Sequence, residues 1–261
     1  MRGRFAPKRT GVDEGNAGLM GAFAGSGTRL RIAVLDYGAA NMVSISQALV
    51  AAGAEAVVAA GPADLAGVDA LVVPGVGAAA PAMVHLREQG LLEPLRDWVG
   101  SGRPCLGICL GFQLLFDASD EGDSGDSPTL GLLAGRTVAL QEAPTLPHIG
   151  WNSVEAVKAH PLFDGIADGS YFYFVHTFAP VPADEAIVVA RTTHGRPFVS
   201  AVASGSLYGL QFHPEKSADA GQRLLRNFLG LVAAGPGAGA AVAAAEQGGG
   251  TTVATPASEA I

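Results

Sequence analysis

The chain has 261 residues, 49% of them hydrophobic and 15% charged, with 16 Lys and Arg against 24 Asp and Glu for a formal net charge of −8. That balance leaves no basic face for a phosphate backbone and argues against nucleic acid as a partner. The two cysteines, Cys105 and Cys109, are too close in sequence to staple a large fold and make a poor zinc site, so a reducing, cytoplasmic setting is expected.

In chain order, residues 1–29 come first, rich in Gly, Arg and Thr and without apolar periodicity. Arg2, Arg4, Lys8 and Arg9 are followed by Asp13 and Glu14 with no continuous apolar segment, which argues against a targeting signal. The opposite end, residues 233–261, is almost entirely Ala, Gly, Thr and Pro. Neither end can bury a core, so both are expected to be disordered extensions of one domain over residues 30–232. The stretch Leu229–Ala245 is interrupted by Pro236 and too weakly apolar to span a bilayer, so no membrane is expected.

Arg31–Asp36 reads as a buried strand, and Asn41–Ala52 as a helix with Met42, Ile45, Leu49 and Val50 on one side. Glu55–Ala60 and Ala70–Val73 read as further strands, the latter running into the turn Pro74-Gly-Val-Gly77. Helices are expected over about 79–89 and 91–100, before Pro104-Cys-Leu-Gly-Ile-Cys-Leu-Gly-Phe-Gln-Leu-Leu-Phe116, a buried strand, a sharp turn and the first turns of an amphipathic helix. An acidic loop, Asp117–Leu130, follows, to which no role attaches. Short apolar runs at Thr137–Leu140, Tyr171–Phe178, Ile187–Ala190, Phe198–Ala203 and Leu207–Phe212 read as strands, some antiparallel, and Ala218–Leu231 as an amphipathic helix. The expected fold is α/β: a mostly parallel sheet covered by helices on both faces, with additional antiparallel strands.

Gly107-Ile-Cys109-Leu-Gly111 is a G-x-nucleophile-x-G elbow with cysteine as the nucleophile. The glycines let strand and helix pack around a strained turn, which should leave the thiol exposed at the carboxyl end of the sheet and at a helix N-terminus, where thiolate is favoured. The Leu110 N–H points where an oxyanion would form, and the glycine-rich Gly75-Val-Gly77 turn can add donors. A cysteine nucleophile needs an oriented base. His213 ends a strand, Pro214 stops that strand, and Glu215 stands two residues on, where it can accept from one ring nitrogen while the other faces the thiol. A lone cysteine at a strand end is more often a buried small hydrophobe, which fits Cys105, and a lone His-Pro-Glu is usually a solvated turn. The two motifs together point to acyl chemistry through a thioester. His85, His148, His160, His176 and His194 lack these features and are read as structural or solvated.

With these residues the chain resembles the class I, triad-type glutamine amidotransferases, and among them the glutaminase subunits of imidazole glycerol phosphate synthase. Pro104–Phe116 and Gln211-Phe-His-Pro-Glu215 carry the family resemblance. Asp36-Tyr-Gly38, Pro74–Gly77, Pro147-His-Ile-Gly-Trp-Asn152, Phe172–Phe178 and Lys216-Ser217 carry the subgroup. The resemblance implies a flavodoxin-like amidotransferase fold and attack by Cys109 on the carboxamide of glutamine, with His213 as proton shuttle and Glu215 as its orienter. It places Gly75, Val76, Gly77 and Leu110 at the oxyanion, and Gln113, Thr177 and Phe178 at the glutamine. No metal or organic cofactor is implied. Free ammonia is mostly protonated in neutral water, so the resemblance also implies a partner. That partner is a (β/α)8-barrel cyclase that converts a phosphoribulosyl-formimino aminoimidazole carboxamide nucleotide to imidazole glycerol phosphate and an aminoimidazole carboxamide ribotide, a step of histidine biosynthesis. Asn41, Trp151, Asn152 and Lys216 are expected to face it. The chain departs from the family at Ala40, at Ala78-Ala-Ala80 and at Phe178, where Gly, an aromatic and Tyr are usual. An amidotransferase serving another synthase, a stand-alone γ-glutamyl hydrolase and a non-enzymatic binding subunit are the competing readings, the last opposed by the intact Cys109, His213 and Glu215.

Overall fold

The structure, a computed structural model, describes residues 29–38, 41–122 and 125–235. The expectations for residues 1–28, for Ala40 and for residues 236–261 lie outside the described residues. The first half is built of β1 (Arg31–Leu35), α1 (Met42–Ala52), β2 (Glu55–Ala59), β3 (Ala70–Gly75), α2 (Ala79–Glu88), α3 (Leu92–Gly100), β4 (Cys105–Cys109) and α4 (Leu110–Gln113). The second half holds β5 (Phe116–Ser119), β6 (Ser127–Pro128), β7 (Leu133–Ala139), β8 (His148–Ala156), β9 (Ser170–His176), β10 (Phe178–Pro182), β11 (Val188–His194), β12 (Arg196–Ser204), β13 (Leu207–Leu210) and α5 (Ala218–Ala234).

Nine strands form one sheet in the order β2-β1-β3-β4-β13-β12-β11-β8-β9. From β2 to β13 all pairs are parallel, and from β13 to β9 all are antiparallel. The parallel half therefore has the flavodoxin-like order, whose ligand crevice lies at the carboxyl ends of the strands beside the switch in direction. Strand alternation builds a core on each face. Ile32, Val34, Val72, Leu106 and Ile108 pack with Ile45 and Leu49 of α1 and Leu224, Leu225 and Phe228 of α5. Ala33, Leu35, Leu71, Val73 and Cys105 pack with Met83 and Leu86 of α2 and Leu95 and Trp98 of α3.

Three expectations are corrected. The elbow helix is a single turn of four residues and does not continue to Phe116. Residues 110–116 are buried throughout and have no polar face, and the carbonyls of Leu114 and Leu115 accept from the amides of Leu130, Leu132 and Leu133. Second, Tyr171–Phe178 is two strands: β9 stays in the large sheet, while β10 joins a small sheet of order β10-β7-β5-β6. The crossing falls at Thr177, whose carbonyl accepts from Leu140. Third, the acidic loop has a structural task. Ala78 gives α2 no side-chain cap, and Glu121 Oε2 accepts from the Ala79 N–H at 2.8 Å instead, so the loop caps the helix that follows the Gly75–Gly77 turn.

His148, His160 and His176 are buried. Burial above all lowers His148 and His160 to about 4, helped at His148 by the neighbouring His194 and at His160 by Lys158 against a smaller opposing pull from Asp164. Burial likewise lowers His176 to about 3, against a smaller opposing pull from its hydrogen bond to Phe178. A neutral folded histidine binds fewer protons than its unfolded counterpart, so their stabilising contribution is complete above the unfolded value of about 6.5 and is lost as pH falls through about 4. Urea midpoints should fall steadily from pH 7 to pH 4.5. A flat profile would contradict the burial of these rings.

Candidate active site

The site gathers at the carboxyl ends of β1, β3, β4 and β13. Cys109 ends β4 with φ of 54°, a left-handed conformation that costs a non-glycine residue of order 1–3 kcal/mol and marks the strained elbow. Three close approaches hold that turn. A Cβ on Gly111 would lie 1.7 Å from the Val73 carbonyl oxygen, one on Gly107 would lie 2.8 Å from the Gly111 oxygen, and one on Gly75 would lie 2.4 Å from the Tyr37 hydroxyl. The thiol is not exposed as the elbow alone implied: Cys109 is 4% exposed. The Val175 carbonyl of β9 and the Gln211 amide each lie 3.8 Å from its sulfur and cover it.

His213 follows β13 and is anchored on three sides. Its N–H donates to the Tyr173 carbonyl at 2.9 Å, its carbonyl accepts from Ser217 Oγ at 2.6 Å, and that hydroxyl accepts from the Tyr173 N–H at 3.0 Å. The Ser217 in the Lys216-Ser217 extension is thus the clamp between the histidine turn and β9. Nδ1 of His213 lies 2.7 Å from Glu215 Oε1, with both side chains nearly buried. Nε2 is buried on the Cys109 side without a closed hydrogen bond, a looseness usual before substrate binds. Burial alone would lower the imidazole, but Cys109 and Glu215 together raise it, to about 10. The ring is therefore poised as a cation between a sulfur and a carboxylate, the state from which a proton can be given to a leaving amine.

The oxyanion candidates adjoin this pair. Gly75 is the register partner of Cys109, Val76 is 43% exposed, Gly77 has φ of 101°, and Leu110 opens α4. Tyr37, missed as a site residue although its Asp36-Tyr-Gly38 motif stood out, is fully buried and donates to the Pro74 carbonyl at 2.6 Å. Tyr37→Phe strands that carbonyl, at about 1–3 kcal/mol. The expected result is a Tm lower by roughly 2–4 °C per kcal/mol, together with slower turnover. An unchanged Tm would show that the hydroxyl does not hold the turn.

Gln113 Nε2 donates to the Phe178 carbonyl at 2.8 Å and to Gln211 Oε1 at 3.2 Å. Gln211, also missed as a site residue, thereby links Gln113 to Cys109 from inside its own histidine motif. Thr177 sits beside Phe178 with its carbonyl already used by Leu140. Asn41 and Lys216 line a cavity of about 10 Å³ with Pro74, Gly75, His213 and Glu215, room for little more than a water. Asn41 also caps α1 through the Ser44 N–H. Trp151, 52% exposed, meets Tyr173 edge to face, and Lys216 Nζ lies 5.6 Å above the Tyr173 ring. The structure separates Asn152 from this patch: strand alternation turns it away from Trp151, and its amide bonds to Thr193 and His148.

A doubly wound sheet thus carries a strained cysteine elbow and a histidine–glutamate pair at its carboxyl edge, the arrangement of a nucleophile beside an oriented base. Residues 33–231 match the family described as Glutamine amidotransferase class-I, and the chain belongs to that family. "Imidazole glycerol phosphate synthase subunit HisH" of Synechococcus elongatus is 46% identical over 208 residues, which cover 78% of this chain and 94% of the relative. The protein of the same name from Symbiobacterium thermophilum is 47% identical over 202 residues, covering 77% and 94%. Among solved structures, a chain titled "Crystal structure of glutamine amidotransferase" aligns with TM-score 0.60 at 26% identity over 77% of this chain and 98% of that one. "Structure of PurLQS from Thermotoga maritima" aligns with TM-score 0.62 at 20% identity over 78% and 100%, which speaks for the fold alone. Among the described residues no helix is long and apolar enough to cross a membrane.

Proposed function

We propose that the chain is the glutaminase subunit of imidazole glycerol phosphate synthase and acts in histidine biosynthesis with a (β/α)8-barrel cyclase as partner. The observation that carries the chemistry is the 2.7 Å His213–Glu215 contact beside the strained Cys109. The likeness to the HisH subunits, 46–47% identical over nearly their whole length, supports the choice of synthase.

In this reading Cys109 Sγ attacks the side-chain carboxamide carbon of glutamine, and the carbonyl oxygen becomes an oxyanion met by the turn at Gly75, Val76 and Gly77 and by the Leu110 N–H. As the tetrahedral intermediate collapses, the C–N bond breaks and His213 gives its proton from Nε2 to the departing nitrogen, releasing ammonia and leaving a glutamyl thioester. His213, now neutral, takes a proton from water. The hydroxide attacks the thioester, and glutamate leaves with the sulfur restored. Glu215 keeps Nδ1 protonated and the ring in register throughout. Gln113, with Thr177 and Phe178, holds the glutamine. Asn41, Trp151 and Lys216 face the cyclase, and Asn41 and Lys216 line the small cavity at His213 and Glu215. The Val175 carbonyl and the Gln211 amide, each 3.8 Å from the sulfur, are the groups a bound glutamine meets first at Cys109.

Co-purification tests the partner. The tagged chain should retain a barrel cyclase, and Lys216→Glu should weaken the pair. Retention of a different synthase would favour another amidotransferase of the class. Full turnover with no partner would favour a γ-glutamyl hydrolase.

A further inference from the structure

The Phe178 carbonyl, against which Gln113 is set, accepts a second hydrogen bond from His176 Nδ1 at 2.9 Å. A carbonyl only accepts, so Nδ1 carries a proton. His176 Nε2 lies 2.9 Å from His148 Nδ1, and His148 Nε2 lies 3.1 Å from Asn152 Nδ2. The Asn152 amide is oriented by two bonds outside this row: its Oδ1 accepts from the Ser153 N–H at 2.9 Å, and its Nδ2 donates to the Thr193 carbonyl at 2.9 Å. Nδ2 is thus a donor toward His148 Nε2, which has to be bare. His148 then carries its proton on Nδ1 and donates to a bare His176 Nε2. The Phe178 carbonyl at one end and the Asn152 amide at the other impose the same polarity. Every ring nitrogen in the row is used once, and both rings are neutral.

The surroundings agree. His148 is 4% and His176 6% exposed, and burial holds both far below the ordinary histidine range. His194 stacks on His148 with centroids 4.1 Å apart, and its Nε2 lies 2.9 Å from the Thr145 carbonyl. The three rings are not a metal set, and among the described residues no group of three or more His, Cys, Asp or Glu could hold a metal ion.

We propose that His176 and His148 are positioning residues of the glutamine subsite. A one-way hydrogen-bond row from Asn152 to the Phe178 carbonyl locks them in the Nδ1–H tautomer, and through that carbonyl they set where Gln113 stands. This rests on the reading that Gln113 and Phe178 hold glutamine. Both lone pairs of the Phe178 oxygen are filled, one by Gln113 and one by His176, and hydrogen bonds of a single polarity strengthen one another. Asn152 is the origin of the row.

Two measurements on the full chain test this. Nitrogen-15 NMR of histidine-labelled protein, with single substitutions for assignment, should show His148 and His176 both neutral and protonated on Nδ1 at pH 7. A cation or an Nε2–H tautomer at either ring overturns the proposal, whatever the enzyme does. In the complex with its cyclase, His176→Ala should raise KM for glutamine roughly tenfold, the worth of one such bond, with kcat nearly unchanged. His176→Asn, which keeps a donor near the Nδ1 position, should recover most of the loss, and His176→Gln should not. An unchanged KM in His176→Ala, with the unsubstituted complex active, overturns the positioning role alone. An unsubstituted complex that hydrolyses no glutamine overturns the amidotransferase reading and the subsite role with it.

Discussion

Gly111→Ala is expected to yield little or no folded protein. The added methyl would stand 1.7 Å from the Val73 carbonyl oxygen and 2.7 Å from its carbon. These are backbone atoms of β3, which is paired with β1 on one side and β4 on the other. No side chain can swing aside, so either the central sheet opens or α4 lifts off it. Damage of this kind belongs to the tail of more than about 4–5 kcal/mol, a large part of the 5–15 kcal/mol that typically holds a domain together. Gly230→Ala is the matched control, because nothing lies within 4 Å of its added Cβ on α5, and it should gain about 0.5–1 kcal/mol from helix propensity. Soluble yield and thermal melts decide the point. A Gly111→Ala protein that melts like its parent would contradict the packing of the elbow.

Glu215→Gln should fold normally and lose about 10⁴-fold in kcat, the scale seen when the orienting carboxylate of a triad is neutralised. The carboxylate accepts from His213 Nδ1 at 2.7 Å and is one of the groups that raise the imidazole. Its replacement lowers the imidazole and lets Nδ1 face an amide in either orientation, so the fraction of rings able to deliver a proton from Nε2 falls. The alkaline limb of the rate profile should accordingly move to lower pH. A variant with near-normal kcat would remove Glu215 from the mechanism.

The parts of the site legible in the sequence are those built by residues close together in the chain. Gly107 and Gly111 flank Cys109 within one turn, and His213, Pro214 and Glu215 make a strand stop and an i, i+2 pair, so local stereochemistry was enough to read them. That the first half forms a parallel sheet also followed from alternating strand and helix patterns, though its strand order did not. What could not be read was set from a distance. The elbow helix stops at Gln113 because amides near Leu132 claim the next carbonyls. Gly150 and Asn152 broke the apolar alternation that would have marked β8 as a strand. Glu121 caps α2 from 42 residues away, and Tyr37 steadies Pro74 across 37. The histidines read as structural were judged one at a time, whereas His148 and His176 acquire their chemistry only when β8 and β9 pair in antiparallel register and bring them opposite each other.

The most direct test is glutamine hydrolysis by the purified chain, alone and with the barrel cyclase loaded with its nucleotide substrate, with Cys109→Ala as control. The account predicts slow hydrolysis alone, a steep rise with the loaded cyclase, and none in the control. Hydrolysis indifferent to the cyclase would contradict the assignment to this synthase, and hydrolysis that survives Cys109→Ala would contradict the thioester at the centre of the account.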